Sequence, residues 1–77
     1  MIKLYRFTHC PFCDTVQDFM DEQNIAYEIV LVHRENKPKE VTSTGGTVPV
    51  IEDNGKLISD SKKIIAYLRN THLAKQT

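Results

Sequence analysis

The chain has 77 residues, of which 40% are hydrophobic and 26% charged, and ten Lys and Arg residues balance ten Asp and Glu residues. A chain this short can bury only one modest core, so we expect a single domain over residues 1–77. Zero net charge, without any long block of like charges, excludes the basic surface by which proteins bind nucleic acid.

Membrane insertion and secretion are not predicted either. The longest apolar run, Ile29-Val30-Leu31-Val32, is far shorter than the roughly 20 residues of a spanning helix. Residues 1–6 have neither the apolar stretch nor the small-residue cleavage site of a signal peptide. We expect a cytoplasmic protein with no membrane partner.

The first predicted elements are a strand over Ile2–Phe7 and a helix over Pro11–Gln23. Pro11 suits the first helical position, where a backbone N–H would have no partner. Asn24 is expected to cap the end of the helix. Four apolar residues repeat with the helical period and should form its buried face: Phe12, Val16, Phe19 and Met20.

A second strand is predicted over Ile25–Val32, and its nearly continuous apolar character favours a strand covered on both faces. The order strand, helix, strand predicts a parallel βαβ unit with a right-handed crossover. The pattern is irregular over residues 33–46, where Pro38 can begin a short helix that ends at Gly45-Gly46.

The next two strands are predicted over Val48–Glu52 and Lys56–Ser59, as an antiparallel hairpin. Asn54-Gly55 lies between them, and Asn-Gly is a strong hairpin signal because both residues accept positive φ. A last helix should begin near Asp60 and Ser61, which are both good N-caps. Its inner face is predicted to consist of Ile64, Ile65 and Leu68.

The C-terminal segment, Thr71–Thr77, is polar enough to fray. The complete order is β-α-β-(α)-β-β-α. This order predicts an α/β (α+β) fold. Its four-stranded sheet should be mixed, with both parallel and antiparallel strands, and should be flanked by helices.

Two cysteines stand where the first strand meets the first helix, in the motif Cys10-Pro11-Phe12-Cys13. Thiol chemistry requires a thiolate, and the unpaired N–H groups and dipole of a helix N-terminus favour an anion at Cys10. Cys13 lies one turn further on and can resolve a mixed disulfide formed at Cys10. A bond between them would close too short a loop to stabilise the fold much, so the pair indicates thiol–disulfide exchange.

The two cysteines have other interpretations. They can be small packing residues, although packing alone seldom requires this motif at a strand–helix junction. A closed zinc site needs four ligands, whereas here only Cys10, Cys13 and His9 are at hand. A cluster shared between two subunits is the remaining metal alternative, and we expect no metal.

The cysteine motif and Thr47-Val48-Pro49 resemble the glutaredoxin family, whose element order and length match nearly the whole chain. The resemblance implies a thioredoxin-like fold, glutathione as reductant and Cys10 as nucleophile. It also implies a cis Pro49 beside the cysteines, with Thr47, Val48 and Pro49 at the glutathione site and the Val48 backbone bonding the peptide part of glutathione. The residues alone would favour a trans proline that opens an edge strand.

Two positions depart from typical glutaredoxins. Phe7 stands where a glutathione-holding Lys is usual, and Ser59-Asp60-Ser61 stands where many members have a Gly-Gly pair. The segment from Pro49 to Leu68 is similar instead to the N-terminal domain of glutathione transferases, and with the cysteine motif to transferase-like, two-domain glutaredoxins. This likeness implies that Asp60 and Ser61 receive the glutamyl end of glutathione. The alternative is that they only cap their own helix.

Several other side chains have two interpretations each. His9 can stabilise the Cys10 thiolate or be a solvated loop residue, and Tyr5 and Phe12 can flank the site or belong to the core. Three cations can attract the glycine carboxylate of glutathione in place of the missing Lys, or be ordinary surface charge: Arg34, Lys37 and Lys39.

The first hypothesis is a monomeric, glutathione-dependent thiol–disulfide oxidoreductase, a glutaredoxin that reduces protein disulfides and glutathionylated proteins through Cys10 and Cys13. The chain ends where the helical second domain of the transferase-like members would begin, so a second-substrate pocket is not expected. The alternatives are an iron–sulfur carrier, with a cluster held by Cys10 and glutathione between two monomers, and a thioredoxin-type donor to a dedicated partner.

Overall fold

The computed structural model describes residues 1–73, so the predicted fraying of the last residues lies partly outside the described chain. In chain order the elements are β1 (Ile2–Arg6), α1 (Pro11–Glu22), β2 (Tyr27–Leu31), α2 (Lys39–Thr42), β3 (Val50–Asp53), β4 (Lys56–Ser59), α3 (Ser61–Leu68) and a π-helical turn (Arg69–Leu73). Among the described residues no helix has the length and apolar character needed to cross a bilayer.

The four strands form one mixed sheet in the order β2-β1-β3-β4. β1 pairs with β2 in parallel, as the βαβ unit predicts, and β3 is antiparallel to both β1 and β4. The hairpin turns at Asn54 and Gly55, which both have positive φ. The structure confirms the predicted fold class, a thioredoxin-like mixed sheet flanked by helices.

The strand register brings three chain segments to one end of the sheet. Tyr5 is opposite Val50 on the neighbouring strand, and Val50 is in turn opposite Ser59. The segment after β1, the segment before β3 and the segment after β4 therefore leave the sheet at the same end. This shared end is where the cysteines lie.

Two apolar clusters cover the two faces of the sheet, because successive residues of a strand point to opposite sides. The larger cluster joins the sheet to α1 and α3 and consists of Ile2, Leu4, Val16, Met20, Ile51, Ile64 and Leu68. The smaller cluster lies on the α2 side and consists of Tyr5, Val32, Val41 and Val50. Of the three residues predicted for the inner face of α3, Ile64 and Leu68 are fully buried and Ile65 is partly exposed.

The prediction that the second strand is covered on both faces is wrong. Within residues 1–73, β2 pairs only with β1 and forms an edge of the sheet, and Ile29 and Leu31 are 43% and 56% exposed. The strand is also shorter than predicted, Tyr27–Leu31 instead of Ile25–Val32. An apolar run indicates that a segment favours burial. Whether the segment becomes a central or an edge strand depends on its pairing with segments that are distant in the sequence.

Two details of α1 also differ from the prediction. Phe12 is 66% exposed although Val16 and Met20 are fully buried, because the buried face of α1 runs through Cys13, Val16 and Met20 and Phe12 lies to one side of it. The C-cap is Gln23, and Asn24 follows it with a φ of 57°. Asn24 therefore occupies the left-handed position just after the cap, which Asn accepts more readily than most residues.

The segment between β2 and β3 contains the short helix that Pro38 indicated. Pro38 is the N-cap of α2, which ends at Thr42, earlier than the predicted stop at the two glycines. The chain then turns through Gly45 and Gly46, both with positive φ, and the Gly46 N–H donates to the Val41 carbonyl at 2.9 Å.

Candidate active site

Cys10 occupies the N-cap position of α1, in extended backbone conformation, and Cys13 lies in the first helical turn. The Cys13 backbone N–H donates to Cys10 Sγ at 3.3 Å. Both thiols are free, but Cys10 is 9% exposed whereas Cys13 is completely buried. A helix N-terminus that points free N–H groups at Cys10 suits an anionic sulfur there.

Burial raises the pKa of the Cys13 thiol to about 12, and its hydrogen bond and charge interaction with Cys10 act in the same direction. A hydrogen bond from the Phe7 backbone and the positive charge of Arg6 oppose the increase without cancelling it. At neutral pH Cys13 is therefore protonated and inaccessible, so it is unsuited to make the first attack. This environment favours Cys10 as nucleophile and Cys13 as resolving thiol, the roles that the sequence predicts.

The peptide bond between Val48 and Pro49 is cis, as the glutaredoxin resemblance implies, so the trans alternative is wrong. Pro49 is buried and Val48 is half-buried. Val48 lines an open cleft of about 350 Å³ together with Phe7, His9, Cys10, Pro11, Arg34, Lys37, Gly46 and Thr47. This volume lies within the usual range for small-molecule sites.

The structure brings some of the predicted glutathione-binding residues to the cleft and leaves others beside it. Thr47 and Val48 line the cleft with Cys10. Asp60 and Ser61 are not part of the cleft wall among the described residues, but they follow β4 at the same end of the sheet. Asp60 Oδ2 accepts a hydrogen bond from the Lys63 N–H at 3.4 Å, so Asp60 does cap its own helix.

Two of the three candidate cations lie at the cleft. The Arg34 guanidinium is 4.4 Å from the centroid of the Phe7 ring, and Lys37 Nζ donates to the Gly46 carbonyl at 2.6 Å. Lys39 begins α2 and is exposed outside the cleft. Phe7, which stands where typical glutaredoxins have Lys, is thus covered by the positively charged guanidinium of Arg34.

The other two-way candidates are resolved in part. His9 lines the cleft and is solvent-exposed. Tyr5 belongs to the smaller core cluster, where its hydroxyl donates to Glu52 at 3.3 Å. Burial is the main reason that the pKa of Tyr5 rises to about 12. Tyr5 is therefore a core residue, whereas Phe12 is exposed between the two cysteines.

The sequence predictions missed Arg6, which is buried just before the cysteine loop. Its guanidinium contacts the carboxylate of Asp14 at 2.8 Å and the amide oxygen of Gln17 at 2.7 Å. A recognisable signal was present, because Ile2, Leu4 and Arg6 alternate on one face of a strand. An arginine at an inward position needs hydrogen-bonding partners for its guanidinium.

Within residues 1–73, no three His, Cys, Asp or Glu side chains are grouped so that they could hold a metal ion. The thiols of Cys10 and Cys13 adjoin each other, and two thiols fall short of the four ligands of a closed site. A cluster would require ligands from glutathione or from a second subunit.

Comparison with known protein families gives a match over residues 4–76 to the glutathione S-transferase N-terminal domain. The chain is 36% identical over 69 residues to prostaglandin E synthase 2 of Danio rerio, covering 88% of this chain and 18% of that protein. It is 38% identical over 55 residues to glutaredoxin 1 of Rickettsia conorii, covering 65% of this chain and 54% of that one.

Among solved structures, the dehydroascorbate reductase of Chlamydomonas reinhardtii superposes with a TM-score of 0.83 at 25% identity. The match covers 95% of this chain and 39% of that one. The chain thus spans only part of the length of each of these relatives.

Proposed function

Because this chain belongs to the family of glutathione S-transferase N-terminal domains, we propose that it is a glutathione-dependent thiol–disulfide oxidoreductase of the glutaredoxin type. One observation carries the proposal. The Cys10 thiol at the N-cap of α1 is 9% exposed, accepts a hydrogen bond from the backbone N–H of the fully buried Cys13 and lines a cleft with Val48. The likeness to a curated glutaredoxin supports the same activity.

The first step is attack of the Cys10 thiolate on the glutathione sulfur of a protein–glutathione disulfide. The Cys10–glutathione bond forms, the mixed disulfide breaks, and the target protein departs as a thiolate that takes a proton from solvent. The Cys13 N–H and the N-terminus of α1 are placed to stabilise the anionic Cys10 sulfur before attack.

The second step regenerates the enzyme. The thiolate of a second glutathione attacks the Cys10-bound glutathione, which yields oxidised glutathione and restores the Cys10 thiolate. For protein disulfides, the protein is bound to Cys10 instead, and Cys13 attacks that bond after losing its proton. The Cys10–Cys13 disulfide so formed is then reduced by two molecules of glutathione.

Glutathione would lie in the cleft beside Cys10. Val48 lies on the cleft wall, where its backbone N–H and C=O suit the peptide part of glutathione, and Thr47 adjoins it. Arg34 and Lys37 supply positive charge on the wall of the cleft for the glycine carboxylate. At the same end of the sheet, the N-terminus of α3 with Ser61 suits the glutamyl end, because helix N-termini favour carboxylates.

The test compares two sources of electrons for one substrate. Reduction of a glutathionylated peptide is followed as NADPH oxidation, either through glutathione and glutathione reductase or through thioredoxin reductase. We expect turnover with glutathione and none with thioredoxin reductase, with Cys10→Ser as the inactive control. Turnover only with thioredoxin reductase would favour a thioredoxin-type donor, and absence of turnover in both arms would reject the proposal.

A further inference from the structure

Arg6 is the charged residue that the described chain buries, with 8% of its surface exposed. It is the last residue of β1 and follows Ile2 and Leu4 on the face covered by α1 and α3. An aliphatic residue would pack at this position without the cost of removing a charge from water. The guanidinium therefore needs an explanation other than core packing.

The guanidinium of Arg6 makes four hydrogen bonds that fall into two pairs. Nε donates to the Phe7 carbonyl at 2.9 Å, and one terminal nitrogen donates to the Thr8 carbonyl at 3.3 Å. The other pair goes to α1, with Asp14 Oδ1 at 2.8 Å and Gln17 Oε1 at 2.7 Å. One planar group thus holds both the chain leaving the strand and the helix that follows.

Cys10 lies between the two segments that Arg6 holds. The loop reaches Cys10 two residues after Thr8, and α1 begins at the residue after Cys10. The position of Cys10 Sγ relative to the Cys13 N–H therefore depends on how the loop and the helix are joined.

We propose that Arg6 is a positioning residue for the nucleophilic thiol: by fixing residues 7–8 to α1, it holds Cys10 at the N-cap. Arg rather than Lys suits this task, because its rigid fork of five N–H donors can bind several acceptors at fixed angles. The expected effect on turnover rests on the proposed glutaredoxin function. The expected effect on the position of Cys10 does not.

The main variant is Arg6→Met, which keeps an unbranched side chain and removes every donor. We expect kcat for deglutathionylation to fall about tenfold, because a misplacement of about 1 Å can cost up to about 10²-fold in rate. The KM for glutathione should stay within about twofold, because glutathione is held by other residues. Arg6→Lys should restore only part of kcat. Arg69→Met is the matched control, since Arg69 is exposed on the π-helical turn.

A second variant guards against simple unfolding. Gln17→Ala removes one partner of the guanidinium at a partly exposed position and changes no charge. We expect it to lower kcat about threefold, in line with one lost hydrogen bond. Both variants are measured well below their melting temperatures. A lower melting temperature with wild-type kcat in both variants would mean that Arg6 serves stability alone and would overturn the proposal.

The position of Cys10 is tested by a measurement that does not involve glutathione. A negative result for Arg6 can therefore be distinguished from a failure of the proposed glutaredoxin function. In a Cys13→Ser background, iodoacetamide alkylates Cys10 at a fixed neutral pH. Adding Arg6→Met should slow alkylation several-fold, because the sulfur loses its place at the helix N-terminus, while Arg69→Met should not. An unchanged or faster rate contradicts the proposal, whether or not the protein turns over with glutathione.

Discussion

The two ends of the sheet carry clefts of nearly equal size but different chemistry. The cleft beside Cys10 has a volume of about 350 Å³, and the one beside the hairpin turn about 360 Å³. The second is lined by Met1, Asn24, Asp53, Asn54 and His72, among others. Size alone therefore does not single out the active site.

At the hairpin end, the polar side chains bind one another. Asp53 Oδ2 accepts a hydrogen bond from the Tyr67 hydroxyl at 2.7 Å and contacts His72 Nε2 at 3.1 Å. The Tyr67 bond is the main reason that the pKa of Asp53 lies below its usual value. The same bond is the main reason that the pKa of Tyr67 is raised. These groups tie α3 and the π-helical turn to the sheet.

At the cysteine end, groups with unused hydrogen-bonding capacity face the cleft. Lys37 donates one N–H to the Gly46 carbonyl, and its ammonium group has two further N–H donors. Arg34 rests on the Phe7 ring, a contact that leaves its N–H edge available. Polar groups that satisfy each other stabilise a fold, whereas groups left to face a cleft can bind a ligand.

The largest expected effect separates the two thiols. Cys10→Ser should abolish all exchange, because a hydroxyl is not ionised at neutral pH and cannot replace a thiolate. Cys13→Ser should keep most of the deglutathionylation activity and lose the reduction of protein disulfides. Paired assays with a glutathionylated peptide and a disulfide-bonded protein measure both activities. Equal loss in the two variants would remove the distinction between the thiols.

The next effect tests the cations of the cysteine end. The double variant Arg34→Met, Lys37→Met should raise the KM for glutathione about tenfold, or about 1.4 kcal/mol, because the carboxylate loses both partners. Lys39→Met removes a cation outside the cleft and is the matched control. If both proteins show the same small increase, general surface charge and not the cleft attracts glutathione.

A smaller effect is expected at the start of α3. Ser61→Ala should weaken glutathione binding by about 1 kcal/mol, the usual contribution of one hydrogen bond, without changing kcat. Titration calorimetry gives the affinity, and thermal unfolding gives the stability. Unchanged affinity with a lower melting temperature would show that Ser61 serves only its helix.

The smallest effect on activity is expected at the hairpin end. Tyr67→Phe should leave turnover unchanged and reduce the free energy of unfolding by about 1 kcal/mol. A lowered pKa means that the Asp53 contribution is present above pH 3.8, the ordinary value, and is lost as the pH falls below it. Denaturant unfolding of wild type and variant should therefore converge at low pH. A change in turnover at neutral pH would link this end to catalysis.

Much of the fold follows from local patterns. Asn54-Gly55 located the hairpin, and Pro11 located the start of α1 directly after Cys10. The edge position of β2 and the exposure of Phe12 did not follow, because both depend on which distant segments lie alongside. Local sequence records a preference for burial and cannot show where the sheet ends.

The thiol chemistry of the site could be predicted from the residues, whereas the residues that position the thiols were harder to predict. The cis Val48–Pro49 bond came from family resemblance, because only about 5–6% of such bonds in folded proteins are cis. Arg6 escaped notice because its partners, Asp14 and Gln17, lie on another element. Contacts between elements depend on how the elements pack. In the sequence, the only sign of this contact is a charged residue, Arg6, at a position where the alternation of Ile2 and Leu4 predicts an apolar one.

The most direct test of the central claim maps where glutathione binds covalently. Cys13→Ser and Cys10→Ser proteins are each incubated with oxidised glutathione and analysed by peptide mass spectrometry. Cys10 keeps 9% of its surface exposed and lines the cleft, whereas Cys13 is completely buried. We therefore predict a glutathione adduct on Cys10 in the first protein and none on Cys13 in the second. A stable adduct on Cys13, or equal labelling of the two, would contradict the assignment of Cys10 as the nucleophile.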